Sequence, residues 1–434
     1  MAQQSFSTMP ARAADFFRHN NELKKLRELI ESSEPEIFLS GLKGSAAAFF
    51  LSLLFQELQK TFLVITSSHD EALDLYDEIA FFRGREADAG NYDAQDMLVF
   101  PPLETHPYEH LATHPDVSGQ RVWTLYQLCR REKPALVITC MEGLLQKTLP
   151  RNFLLRACQR IRVNDDLDRE PLSRGLIECG YTRVSLVEDR GDMSIRGDVM
   201  DIFPPGYPRP LRISFFGDTV ESIRAFDQVT QRSCAEYQEA LMVPVKEAIL
   251  NGETITTFSN KALEPPRKKM FAEGRGKAFA ESIQSGFFPA GIEYGLSLIY
   301  PELETLFHYL SPAAWCVWNE PGALAEAQKD FREDAATHYL RALEERRMVS
   351  PPEELFITEE LLKEHQAGLK QFIAESLDAA RPHAAQVICS SASNADIRRD
   401  MIRFDSAQGA LSPLVEKMGA WRDEGNRIFL ICHT

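Results

Sequence analysis

Short apolar runs alternate with amphipathic stretches over the first third of the chain. Ile37-Phe38-Leu39, Phe62–Thr66, Met97–Phe100 and Ala135–Thr139 are almost wholly apolar, which predicts strands buried on both faces. Between them, Ala46 to Lys60, Asp70 to Tyr76 and Val117 to Arg131 carry helical spacing. Strands and helices in that repeated order predict βαβ units and a parallel sheet.

Near Leu149-Pro150 the pattern changes. Leu167 to Gly180 reads as one helix, with Asp166 or Asp168 as its cap and Gly180 as its stop. Short alternating strands follow at Arg183–Val187, Asp192–Phe203, Leu211–Phe216 and Val220–Phe226, joined by Pro204-Pro205-Gly206 and Gly217-Asp218. Such alternation predicts a small α+β unit built on antiparallel pairing, placed at residues 150–236. From about Tyr237 helical patterns with scattered strands return, including a buried strand at Trp315–Trp318 and a charged helix face from Arg341 to Arg347. Leu414 to Asp423 reads as a helix and Arg427–Cys432 as a core strand. A lone buried strand has no neighbours to cover it, so residues 409–434 read as the truncated start of a further α/β domain.

Bulk properties narrow the possibilities. A chain of 434 residues exceeds what one core supports, so two to four domains are expected. The formal charge of −16 disfavours wrapping of DNA by the chain as a whole, while leaving room for a local basic patch. No apolar run approaches the roughly eighteen residues a membrane span needs, and Met1 to Arg12 lacks a signal core. The eight cysteines are scattered without a CxxC pair, which predicts reduced thiols and a cytoplasmic protein without a membrane partner.

Candidate chemistry concentrates at two places. The first is Ser40 to Ala48, which lies where a GxxxxGK[ST] phosphate loop would join strand to helix. Gly41 takes the first glycine of that pattern and Gly44 lies inside the loop. Ala46, Ala47 and Ala48 replace the second glycine, the lysine and the hydroxyl residue. An ordinary glycine-containing turn fits the spacing equally well. On either reading the loop lacks the cation for the β/γ-phosphates and the ligand for Mg²⁺, so no ATP hydrolysis and no cofactor are expected of it.

The second place is the strand Leu211–Phe216, where Leu211, Ile213 and Phe215 share one face and Arg212, Ser214 and Phe216 the other. The first set suits a core. On the preceding strand Met193 and Ile195 would point in, leaving Ser194 and Arg196 outward. An arginine beside an aromatic on an open face matches the composition of interaction hot spots. It also matches two ordinary surface arginines with a phenylalanine covering a loop.

Gly191 to Gly206, with the core Arg196-Gly197-Asp198-Val199-Met200-Asp201-Ile202-Phe203-Pro204, resembles a segment shared by the excinuclease component UvrB and the bacterial transcription-repair coupling factors. Leu211 to Asp218, Glu221 to Arg224, Phe226-Asp227 and Gln231-Arg232-Ser233 resemble the same module. The alanines at 46–48 depart from the intact loop of UvrB. The stretch Phe100 to Glu109 keeps a single tyrosine where UvrB has a tyrosine-rich hairpin. Ala290 to Tyr294 is similar to the coupling factors, so the closer resemblance is to their N-terminal module.

That resemblance implies a degenerate RecA/helicase-like parallel-sheet domain, discontinuous in sequence. Residues 1–149 and 237–408 would form its halves around the insert. It implies that the insert docks the excinuclease component UvrA through Arg196, Arg212 and Phe216, with Arg183 and Arg190 as weaker candidates. The family's ATP- and Mg-dependent motor, and its contacts to RNA polymerase and duplex DNA, would lie in parts absent here. The alternative is an ATP-dependent damaged-DNA-binding module of the UvrB type.

Two further clusters carry less. His106, His110 and His114 have metal-ligand spacing for a helix, but Pro107 and Pro115 interrupt it, so a loop and no metal are expected. Arg267, Lys268, Lys269, Arg275 and Lys277 form a basic concentration that reads as a solvated helix face rather than a nucleic-acid contact.

Overall fold

A computed structural model of the protein describes residues 21–425, apart from 33, 85–95, 265–266, 268–276, 378–380, 382–383, 390, 392–393 and 404–410, together with residue 428. Among these, an all-parallel sheet of seven strands forms the larger layer. Its spatial order is Gln386–Ile388, Glu36–Ser40, Lys370–Glu375, Trp315–Asn319, Phe62–Thr66, Leu136–Cys140 and Met97–Phe100. The sheet thus takes strands from both ends of the chain, and Glu36–Ser40 sits between two strands that lie more than 300 residues later in sequence.

The apolar runs form strands because both faces of this sheet are covered. Phe62, Val64, Leu136, Ile138, Val317 and Phe372 point toward the helices Ala46–Leu58 and His69–Phe82. Their neighbours Leu63, Ile65, Val137, Cys316 and Ile373 point the other way, into a core shared with Pro115–Arg130 and Pro321–Glu344. Period-two alternation therefore distributes one apolar run between two cores. Local signals set the helix starts: the Ser68 hydroxyl accepts from the Glu71 N–H at 3.2 Å, and His114 accepts from Asp116 ahead of Pro115 in the first turn.

The insert has its own six-stranded sheet, ordered Ser233–Tyr237, Thr219–Phe226, Leu211–Phe216, Val199–Ile202, Asp192–Arg196 and Thr182–Arg183. All its pairs are antiparallel except the last. One face packs on the helix Arg169–Glu178, which Asp168 caps, as one of the two residues expected. The strand predicted over Asp192–Phe203 is a hairpin instead, because Gly197 adopts φ +57° and turns Arg196 back onto Val199. Of the predicted Arg183–Val187 strand only Arg183 lies in a strand, the two-residue Thr182–Arg183; Val184 and Val187 pack on Phe203 and Phe226.

The Pro204-Pro205-Gly206 turn seats the insert on the larger domain. At φ +86°, Gly206 leaves no room for a Cβ, which would lie 2.4 Å from the Trp123 ring. Gly119 on the same helix would carry its own Cβ 2.9 Å from Pro205. Arg190 adds a tie to this helix by donating to Asp116 at 2.7 Å and to the Tyr207 carbonyl at 3.0 Å.

The antiparallel strands Gln159–Arg162 and Glu239–Met242 close the insert's base. Just beyond, the buried Arg121 side chain donates to Glu247, to the Pro101 carbonyl at 2.7 Å and to Gln146 at 3.0 Å. The helix predicted at Leu414–Asp423 spans Ser412–Asp423, and of the predicted strand at 427–432 all but residue 428 falls outside the described residues. No helix among the described residues is long and apolar enough to cross a membrane.

Candidate functional site

The second face of the insert's sheet is built by strand register. Ser194 pairs with Asp201 and Asp201 with Arg212; Arg196 pairs with Val199 and Val199 with Ser214. Residues directly opposite share a face, so Arg196, Asp201, Arg212, Ser214 and Phe216 all lie on the side away from the core. Leu211, Ile213 and Phe215 are buried, as their alternation predicts.

Phe216 is 83% exposed at the tip of the hairpin that turns through Gly217. Arg196 lies exposed at the same end of the sheet, its side chain making no hydrogen bond or ion pair among the described residues. Two strand spacings and two residue rises separate their backbones by roughly 12 Å, within the reach of one docking partner. Arg169 braces the neighbouring turn by donating to the Gly197 carbonyl at 2.7 Å and to Asp198 at 3.1 Å.

Arg212 is differently placed. Its guanidinium grips Asp201 through two hydrogen bonds of 2.7 and 2.9 Å, donates to Gln231 at 3.1 Å, and covers the Phe226 ring at 4.5 Å. Asp201 holds the guanidinium protonated beyond its usual range. Arg212 is therefore a fixed platform rather than a loose charge. Ser194 shares this outward face by register, as expected, but is buried there, its hydroxyl donating to the Ser185 carbonyl at 3.4 Å.

Two members of this face were not singled out from sequence. Asp201 stands in the quoted motif, but its role as Arg212's partner depends on register. Val229, 91% exposed, lies on the loop that carries Gln231, and a lone valine in a polar loop gives no signal in sequence. Arg183 is exposed, whereas Arg190 is engaged in joining the insert to the larger domain.

The glycine loop is closed upon the protein. Gly41 and Gly44 adopt φ of +80° and +57°. The N–H groups of Gly41, Leu42 and Lys43 donate to the Leu377 carbonyl, the Glu375 carbonyl and the Ser391 hydroxyl at 3.3, 3.1 and 2.8 Å. Ser391 in turn donates to the Gly41 carbonyl. Ala46 N–H donates to the Lys43 carbonyl at 3.3 Å, Ala46 and Ala47 pack against the apolar core, and Ala48 is fully buried within it. Ser45 donates to Glu78 at 2.7 Å.

The stretch around His106, His110 and His114 is a loop, as predicted, and His114 caps the following helix. Of the basic concentration, Arg267 is held by Glu354 at 2.6 Å and Lys277 lies 3.6 Å from Glu281. Lys268, Lys269 and Arg275 lie outside the described residues.

A parallel sheet with a glycine loop at a strand–helix junction, interrupted by an antiparallel insert, defines a motor-like α/β module carrying a second, separate sheet. Residues 160–247 match the UvrB interaction domain family, a span that begins within the first of the paired strands closing the insert and runs past the second to Glu247. Across most of its length the chain is similar to the transcription-repair-coupling factor of Myxococcus xanthus, at 29% identity over 91% of this chain and 33% of the relative. The corresponding protein of Rickettsia prowazekii is 31% identical over 59% of this chain and 22% of the relative. That of Escherichia coli K12 is 28% identical over 75% of this chain and 27% of the relative. The chain is thus similar to transcription-repair-coupling factors over most of its length, and residues 160–247 within it match the UvrB interaction domain. It spans about a third or less of the length of these relatives.

Proposed function

We propose that this chain is a non-enzymatic adaptor that recruits the excinuclease component UvrA to stalled transcription sites in nucleotide excision repair. The observation that carries the proposal is Phe216, 83% exposed beside an unengaged Arg196, inside the span that matches the UvrB interaction domain. A solvated aromatic at a hairpin tip costs the free protein apolar hydration that a partner removes on docking. Arg196 and Phe216 supply the contact, and the Arg212–Asp201 pair holds the strand that presents them. The name of the relatives supports the setting in transcription-coupled repair.

The chain hydrolyses no ATP in this reading. The N–H groups of Gly41, Leu42 and Lys43 at the start of the loop are bonded to Leu377, Glu375 and Ser391, and buried Ala48 stands where a Mg²⁺ ligand would be required. ATP, Mg²⁺, RNA polymerase and duplex DNA belong, on this proposal, to other parts of the longer relatives. The compartment is the cytoplasm.

Titration of purified UvrA against the chain tests the reading, with Arg196→Ala and Phe216→Ala in parallel. Saturable binding that falls at least about tenfold in Phe216→Ala, with unchanged folding, is expected. Binding indifferent to both changes moves the contact elsewhere, and an absence of binding removes the proposal. Thermal stabilisation by Mg-ATP would instead favour the UvrB-type, ATP-dependent reading, because a ligand of the native state raises apparent stability.

A further inference from the structure

We infer that His106, Asp334 and His338 form a binding site for one divalent transition-metal ion of the zinc class, joining the loop after the edge strand to the long helix. Asp334 and His338 are one turn apart on Pro321–Glu344 and so share a helix face. His106 reaches them from the loop that follows Met97–Phe100, with its Nδ1 3.3 Å from Asp334 Oδ2. His338 Nε2 lies 3.3 Å from Asp334 Oδ1. One donor atom from each residue fits within 4.8 Å of the other two, and the imidazoles stack at 5.6 Å with planes 16° apart.

These separations suit an ion. Four donors about 2.0–2.1 Å from a tetrahedral centre lie roughly 3.3 Å from one another. Two imidazoles and one carboxylate are the donor set of zinc, cobalt or nickel rather than of calcium or magnesium. Three protein ligands leave a fourth position for water.

The loop is held for this purpose by more than the histidine. Glu104 and Tyr108 flank His106 in left-handed backbone, at φ 60° and 63°, a conformation that costs free energy outside glycine. Tyr108 is buried among Tyr294, Tyr339 and Phe356, and Tyr339 follows His338 directly. Tyr294 donates its hydroxyl proton toward the Thr105 and His106 carbonyls, both at 3.1 Å. The aromatic cluster thus locks the loop against the helix on one side, while the His106 imidazole stays 69% exposed for an ion to enter.

The surroundings are acidic. Glu109 accepts from the His106 N–H at 3.3 Å, and Glu142 lies within electrostatic reach of His106, Asp334 and Glu104. A cation is therefore drawn to the site. Two protonated histidines on one aspartate would produce the same close approaches, and the experiment separates that account from a metal.

The test is calorimetric titration of the metal-stripped chain with ZnCl₂ near neutral pH, repeated with Co²⁺ to read its visible ligand-field absorption. His106→Gln and His338→Gln are the site variants; His110→Gln and Cys234→Ser, an exposed thiol, are controls. One equivalent of Zn²⁺ per chain is expected. Affinity should fall at least about tenfold in either site variant and stay unchanged in both controls. At a hundredfold excess over Kd the apparent Tm should rise by roughly 5 °C. Circular dichroism checks that the variants remain folded. No saturable binding, or binding that survives both site variants, or binding lost in Cys234→Ser alone, overturns the inference.

Discussion

Arg121 and Arg212 each hold a carboxylate, in opposite surroundings. Arg121 and Glu247 are buried, with side chains 0% and 2% exposed, where the chain leaves the insert and rejoins the larger domain. Thr148 completes the Glu247 carboxylate and the Phe100 ring lies 4.2 Å beneath the guanidinium. Arg212 and Asp201 are 28% and 13% exposed on the open face of the insert. Burial makes the first pair a joint whose partners depend on each other, because neither charge can turn to water. Partial exposure makes the second pair a platform: it orders the strand whose end carries the exposed Phe216.

The largest effect should come from breaking the buried pair alone. Glu247→Ala leaves the Arg121 guanidinium buried without its anion and should destabilise the chain by about 3–5 kcal/mol in urea unfolding. A loss under about 1 kcal/mol would erase the distinction between the two pairs. Phe216→Ala comes next and should divide the two readouts. Unfolding should move by no more than about 0.5 kcal/mol, while binding of UvrA loses about 2 kcal/mol. A Phe216 that matters equally to folding would make it a structural residue.

A smaller effect is expected from the platform. A double-mutant cycle over Arg212→Ala and Asp201→Ala should give a coupling near 1 kcal/mol in stability. Coupling as large as that expected of Arg121 and Glu247 would mean the open face is in effect closed.

The smallest concerns Glu293, buried with one carboxylate oxygen unbonded among the described residues. Burial raises its pKa, and Lys246 at 4.0 Å only partly opposes this. A carboxyl whose folded pKa exceeds its unfolded one keeps a proton that the unfolded chain releases. It therefore costs stability as pH rises from the ordinary carboxylate range through the folded pKa. Glu293→Gln should thus stabilise the protein at neutral pH, with the gain vanishing under acid. A gain that is flat with pH would assign the effect to something other than this titration.

Much of the fold was legible because it is written in short periods. The strands at 62–66 and 97–100, and the alternation of Leu211 to Phe216, follow from which neighbours are apolar. A glycine turn joining strand to helix at Gly41 was legible, and it lies between Glu36–Ser40 and Ala46–Leu58. What escaped depends on distant partners. Ser194 faces outward by alternation yet is buried, with its hydroxyl bonded to the Ser185 carbonyl. Arg212 looks like a free charge until register brings Asp201 opposite. The histidine spacing at 106, 110 and 114 drew attention to the loop, yet the residues gathered around His106 come from a helix 228 residues away.

Local order, the sites of turning and the apolar face of each strand were determined by the sequence itself, since each depends on backbone preference and on burial at a period of two or 3.6. The order of strands in the sheet, the seating of Gly206 on Trp123 and the choice of partner for each buried charge were decided only by the tertiary structure. Those pairings are set by packing and desolvation between segments hundreds of residues apart, and no local pattern carries that information.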